Sequence, residues 1–174
     1  MPLTSDRDSI PNFATISIFI HLYGSHFPFE LRCPQSKRYF TEEKKGHFVN
    51  AYDDSLRFTD SILGRLLDLL EREKRPSVFI YLSDHGESPD SGRTRVITDK
   101  DCWQVPMVVW LSRSYRARFP EVAARLSNAV NRPLQNDCLL PGILEILRIT
   151  GMHYKKADSF LDDEFKCQTR VVEF

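Results

Sequence analysis

The chain has 174 residues, enough for one domain of ordinary size with a sizeable apolar core and too few for a multi-domain architecture. Apolar residues make up 41% and charged residues 28%, a globular balance that excludes a disordered or collagen-like chain. Lys+Arg and Asp+Glu both number 24, so the net charge is zero, which argues against nucleic acid as a partner but leaves a small anionic substrate open.

The amino terminus, residues 1–13, shows no basic stretch followed by an apolar one, so no export signal is expected in this chain, and no run approaches the length of a membrane span. The first apolar segment, Ala14 to Leu22, is rich in β-branched and aromatic residues and predicts a buried strand running into a Gly24-Ser25 turn. From about Glu42 to Glu73, Phe48, Tyr52, Leu56, Thr59, Leu63, Leu66, Leu67 and Leu70 recur every three or four residues, predicting a helix with one buried face. Ser77 to Ser83 and Val105 to Leu111 predict two more strands, with Pro106 suited to the start of the second. A polar stretch, Pro89 to Gln104, lies between them. Pro120 to Val130 and Asp137 to Ile149 predict helices, Pro141 fitting the first turn of the latter. Strands alternating with helices predict a layered α/β fold with a mostly parallel sheet flanked by helices.

In such sheets ligands collect at the carboxyl ends of strands. Two polar clusters fall there: His21-Leu22-Tyr23-Gly24-Ser25-His26 and Ser83-Asp84-His85-Gly86-Glu87-Ser88. Asp84 and His85 pair a hard oxygen donor with an imidazole, a mixture that suits zinc or another divalent metal; the alternative is a solvated turn whose carboxylate caps a helix. His21 and His26 suit contacts to phosphoryl oxygens, a second metal or a leaving group, against a structural role in the loop. Glu87 and Ser88 read as supporting or capping groups, and His47 and His153 as ordinary surface or packing residues. The cysteines, Cys33, Cys102, Cys138 and Cys167, form no C-x-x-C pair; their even number permits disulfides without fixing any.

Four segments in order, His21-Leu22-Tyr23-Gly24-Ser25-His26-Phe27-Pro28, Asn50 to Asp60, Tyr81 to Ser88 and Val105 to Leu111, resemble the carboxyl-terminal part of the sulfatase-like phosphoethanolamine transferases of the alkaline phosphatase superfamily. The resemblance implies an alkaline phosphatase-like α/β domain, here incomplete at its amino terminus, over residues 14–150. Residues 1–13 would be an irregular lead-in and residues 151–174 a tail. It implies zinc held by Asp84 and His85, with His21 and His26 near the phosphoryl group or a second metal. Tyr52 and Asp53 would fix the helix start beside the site. It further implies transfer of phosphoethanolamine from phosphatidylethanolamine to lipid A, core sugar or glucan acceptors, in a parent anchored in the inner membrane with a periplasmic catalytic domain. The family's glutamate ligand and nucleophilic threonine have no match before Ala14, so the chain is expected to be a fragment inactive alone. A sulfatase- or phosphatase-type hydrolase and a non-catalytic accessory or remnant module are the competing expectations.

Overall fold

A computed structural model describes residues 16–41, 46–89, 102–149 and 152–167. The lead-in 1–13, the first two residues of the predicted first strand, the predicted helix start at 42–45 and most of the polar stretch after Pro89 lie outside the described residues, as does the end of the chain from 168.

Helix α1, Gly46–Arg72, is followed by strand β1, Val78–Leu82, and strand β2, Met107–Leu111. Helices α2, Arg113–Arg118, α3, Pro120–Ala129, and α4, Leu140–Ile146, complete the order. Both predicted strands in this region form, because short runs of Val, Ile, Phe and Trp fill a pleated surface well. They pair antiparallel, Val78 opposite Leu111 and Leu82 opposite Met107. The sheet among the described residues is therefore two-stranded and antiparallel rather than mostly parallel.

The predicted strand over residues 14–22 does not form over its described part, 16–22. A strand exists only when its backbone groups pair with a neighbour, and here Ile18 and Phe19 stand 77% and 95% exposed with no strand beside them. The composition favours a strand, and among the described residues no partner strand pairs with it.

Helix α1 forms, and its fully buried residues are Asn50, Ala51, Asp54, Ser55 and Thr59. Of the predicted stripe, Thr59 is buried, Phe48, Tyr52, Leu63, Leu66, Leu67 and Leu70 are half-buried, and Leu56 is exposed. The small and polar side chains let a loop pack closely: the buried Asp54 carboxylate accepts the backbone N–H groups of Tyr39 at 2.7 Å and Phe40 at 3.2 Å. At the start of the helix, Phe29 packs its ring against Phe48 and Tyr52, each at 5.0 Å between centroids. These contacts fix the loop that carries the first histidine cluster onto α1.

The main core joins the sheet to the helices. Leu111, Tyr115, Val122, Ala129, Leu139, Ile146, Phe160 and Leu161 are buried together. Ser112 ends β2 and starts α2 at once, because its hydroxyl accepts from the N–H of Tyr115 and also from that of Ser77. Pro141 sits in the first turn of α4, as its position predicts. Beyond α4, residues 156–165 fold back on this core: Arg125 donates to the Leu161 carbonyl and pairs with Glu145, and Arg132 donates to the Phe160 carbonyl and to Asp163. Cys138 and Cys167 are joined in a disulfide, and Cys33 and Cys102 are buried free thiols.

Candidate metal centre

Asp84, His85, Gly86 and Glu87 leave the end of β1 as an irregular turn. Two hydrogen bonds shape it: the Gly86 N–H donates to the Cys102 carbonyl at 2.8 Å, and the Ser83 hydroxyl donates to the His85 carbonyl at 2.8 Å. From the start of the 3-10 turn before α4, Asn136 reaches the Asp84 carbonyl with its side-chain amide at 3.4 Å.

His85 Nδ1 lies 2.9 Å from the Gly86 carbonyl oxygen. A carbonyl only accepts, so Nδ1 is the donor here, and in the neutral ring the lone pair lies on Nε2. That Nε2 lies 3.8 Å from Oδ2 of Asp84. Zinc bonds of about 2.0–2.2 Å to nitrogen and carboxylate oxygen allow one ion to bridge a pair at this separation. The donor set thus fits a metal in part, supplying two of the four ligands a tetrahedral ion takes.

The second loop meets the first at His26. A turn closed by the His26 N–H on the Tyr23 carbonyl at 3.1 Å needs a left-handed residue, which Gly24 supplies at φ +51°. Arg32 holds the loop by donating to the His26 carbonyl at 2.7 Å while its guanidinium covers the Tyr23 ring. His26 Nδ1 donates to the Phe27 carbonyl at 2.6 Å, again leaving Nε2 bare. The His26 and His85 rings meet edge to face, 6.4 Å between centroids. His21 stands apart: its ring neighbour is Tyr23, at 6.3 Å, and among the described residues no hydrogen bond, ion pair or ring contact joins it to His26 or His85.

Each of the two loops also carries an orphan. Ser25 Oγ and Glu87 Oε2 are buried without a hydrogen-bond partner among the described residues. Buried polar atoms are rarely left so, and each is a place where a polar ligand or ion would complete the pairing. On α1, burial and next the Glu87 carboxylate raise the Tyr52 phenol above its ordinary range. Sequence reading treated Glu87 as a supporting group and missed Asn136; a carboxylate two residues past a metal-type pair was the available signal for the former, and nothing in the sequence marked the latter.

Two loops, one of them at the end of a strand, thus bring imidazole and carboxylate groups together beside an α/β core. The chain belongs to the sulfatase family, whose pattern matches residues 14–149, and within it to the carboxyl-terminal part of the sulfatase-like phosphoethanolamine transferases. It is 30% identical over 163 residues to phosphoethanolamine transferase EptA of Escherichia coli K12, covering 83% of this chain and 30% of that protein. It is 32% identical over 111 residues to the Kdo(2)-lipid A phosphoethanolamine 7''-transferase of the same organism, covering 56% of this chain and 19% of that one. The chain spans less than a third of the length of these relatives.

Among solved structures, the carboxyl-terminal periplasmic domain of EptC from Campylobacter jejuni is similar with a TM-score of 0.68 and 25% identity, over 86% of this chain and 52% of that one. The corresponding domain of Escherichia coli EptC, solved as a complex with Zn, matches at a TM-score of 0.71 and 19% identity, over 84% of this chain and 45% of that one. The alkaline phosphatase-like α/β fold expected from the sequence stands on these matches. No helix among the described residues is long and apolar enough to cross a membrane.

Proposed function

We propose that this chain supplies the Asp84–His85 half of a zinc site, and the histidine loop beside it, in a transferase that moves phosphoethanolamine from phosphatidylethanolamine to a lipopolysaccharide acceptor, lipid A or core, or to a glucan. The observation that carries this reading is the meeting of the two loops: His26 against His85 at 6.4 Å, with Asp84 alongside and an orphaned polar atom on each loop. The parent would be an inner-membrane protein facing the periplasm, with residues 14–150 the sulfatase-like portion and the rest of its metal ligands and nucleophile supplied elsewhere. Names of relatives that act on Kdo(2)-lipid A support the acceptor class.

Asp84 and His85 would hold the metal, which when bound lowers a nucleophile's pKa and offsets phosphoryl charge. His85 is aligned for this by its bond to Gly86, which fixes the tautomer. His26, with its proton on Nδ1, presents Nε2 to take up or return a proton at a phosphoryl or leaving-group oxygen. His21 is exposed at the loop's start and would meet the substrate's outer oxygens. Arg32 keeps the His26 backbone in place.

The test is a chimera in which this chain replaces the matching segment of Escherichia coli EptA, with lipid A analysed by mass spectrometry. Lipid A carrying phosphoethanolamine is expected, and its loss on Asp84→Ala/His85→Ala. A folded chimera that releases phosphate from aryl esters yet modifies no lipid A would replace the transferase reading with a hydrolase.

A further inference from the structure

Helix α2 carries Arg113, Arg116 and Arg118 and no acidic residue. Its Tyr115 hydroxyl donates to the Ile146 carbonyl at the end of α4, which ties the turn after α4 to α2. The guanidiniums of Arg118 and Arg148 consequently share one ring, lying 5.6 and 5.2 Å from the centroid of Phe119. Beyond Arg148 the chain exposes Ile149, Met152 and Tyr154, at 40%, 56% and 36%. We infer that this face, two arginines about Phe119 bordered by exposed apolar side chains, rests on an anionic lipid surface.

Charge complementarity selects the occupant. Arg125 and Arg132, in the same half of the chain, are taken up by Glu145 and Asp163. Arg118 and Arg148 form no ion pair among the described residues, and Glu121, in the first turn of α3, pairs with neither. The face therefore keeps a positive field although the chain as a whole is neutral. Arg148 also holds φ +57°, a conformation that favours glycine. A strained cation with no acidic partner in its own chain points to an anion outside it. Guanidiniums bind phosphate oxygens in pairs of hydrogen bonds, and each basic side chain near an anionic leaflet adds to the attraction. Ile149, Met152 and Tyr154 would enter the boundary between headgroups and acyl chains, the tyrosine hydroxyl staying wet. A folded acidic partner needs matched positions, whereas a lipid surface asks only for cations at headgroup level and apolar groups beside them. Basic and apolar residues mixed from Arg148 to Lys155 suit a segment that lies on a bilayer rather than crossing it.

The experiment is cosedimentation of the full chain, without zinc, with vesicles of mixed phosphatidylcholine and phosphatidylglycerol and with vesicles of phosphatidylcholine alone. No metal or transfer activity enters, so the result stands apart from the reading of the Asp84–His85 site. Binding to the anionic vesicles is expected, falling with added salt, and little to the neutral ones. Arg118→Gln/Arg148→Gln should weaken it at least about tenfold, with an unchanged thermal midpoint showing that the variant folds. Arg65→Gln/Arg72→Gln, which removes the same charge from α1, should leave it unaltered. Met152→Ser should weaken it a few-fold. Equal binding to neutral vesicles, carried by the exposed run at Ile18 and Phe19 and lost in Ile18→Ser/Phe19→Ser, would overturn the inference. So would no binding to anionic vesicles, or equal losses in the two arginine double variants.

Discussion

Asp54, on α1, accepts the backbone N–H of Tyr39 at 2.7 Å although fifteen residues of chain separate them. The same oxygen takes the Phe40 N–H, so one buried carboxylate ties the histidine-bearing loop to the helix. Asp54→Ala leaves two backbone donors without this acceptor and should cost about 1–3 kcal/mol. Urea unfolding measures the loss, and faster hydrogen exchange at the Tyr39 and Phe40 amides locates it.

Two glycines should respond with opposite signs to the same substitution. A methyl group on Gly142, in α4, would overlap the Phe160 ring at the centre of the core. Gly142→Ala should destabilise by about 1–3 kcal/mol through overpacking. Gly64, inside α1, has open space where its Cβ would be. Gly64→Ala should stabilise by up to about 1 kcal/mol through helix propensity. Paired denaturant curves check both.

Asp162 contributes to stability on the acid side. Its carboxylate accepts the Glu164 N–H at 3.0 Å and faces Lys156 at 3.4 Å and Arg125 at 3.9 Å. The backbone hydrogen bond is the main cause, and Lys156 the next favourable one, holding this carboxyl below the usual aspartate range. A depressed folded-state value means the stabilisation is complete above the unfolded value near pH 4 and is lost as pH falls through the folded value. Thermal midpoints of wild type and Asp162→Asn should therefore converge as pH drops below about 4. An unchanged gap down to pH 2 would remove Asp162 from this role.

The strands of the hairpin were legible in the sequence because Val78–Leu82 and Met107–Leu111 pair with each other, so the residues that favour the strand also find their neighbour. The run at 16–22 has a similar composition and, among the described residues, no neighbouring strand, and composition cannot show that. On α1, the period found the face that is at least half-buried, but the fully buried positions Ala51, Asp54 and Ser55 are set by where the Tyr39–Phe40 loop packs, which a hydrophobic period does not mark. Helix α2, six residues long, is too short to show a period, and Ser112 as its cap was the one local sign. The approach of His26 to His85, 59 positions apart, was readable only through resemblance; the same reading grouped His21 with them, and the turn at Gly24 leaves it beside Tyr23.

The most direct test of the metal reading is calorimetric titration of zinc into the oxidised chain, where the Cys138–Cys167 disulfide keeps those sulfurs from binding. Two protein donors predict weak, single-site binding that Asp84→Ala/His85→Ala reduces at least about tenfold. Equal affinity in wild type and the double variant would contradict the account.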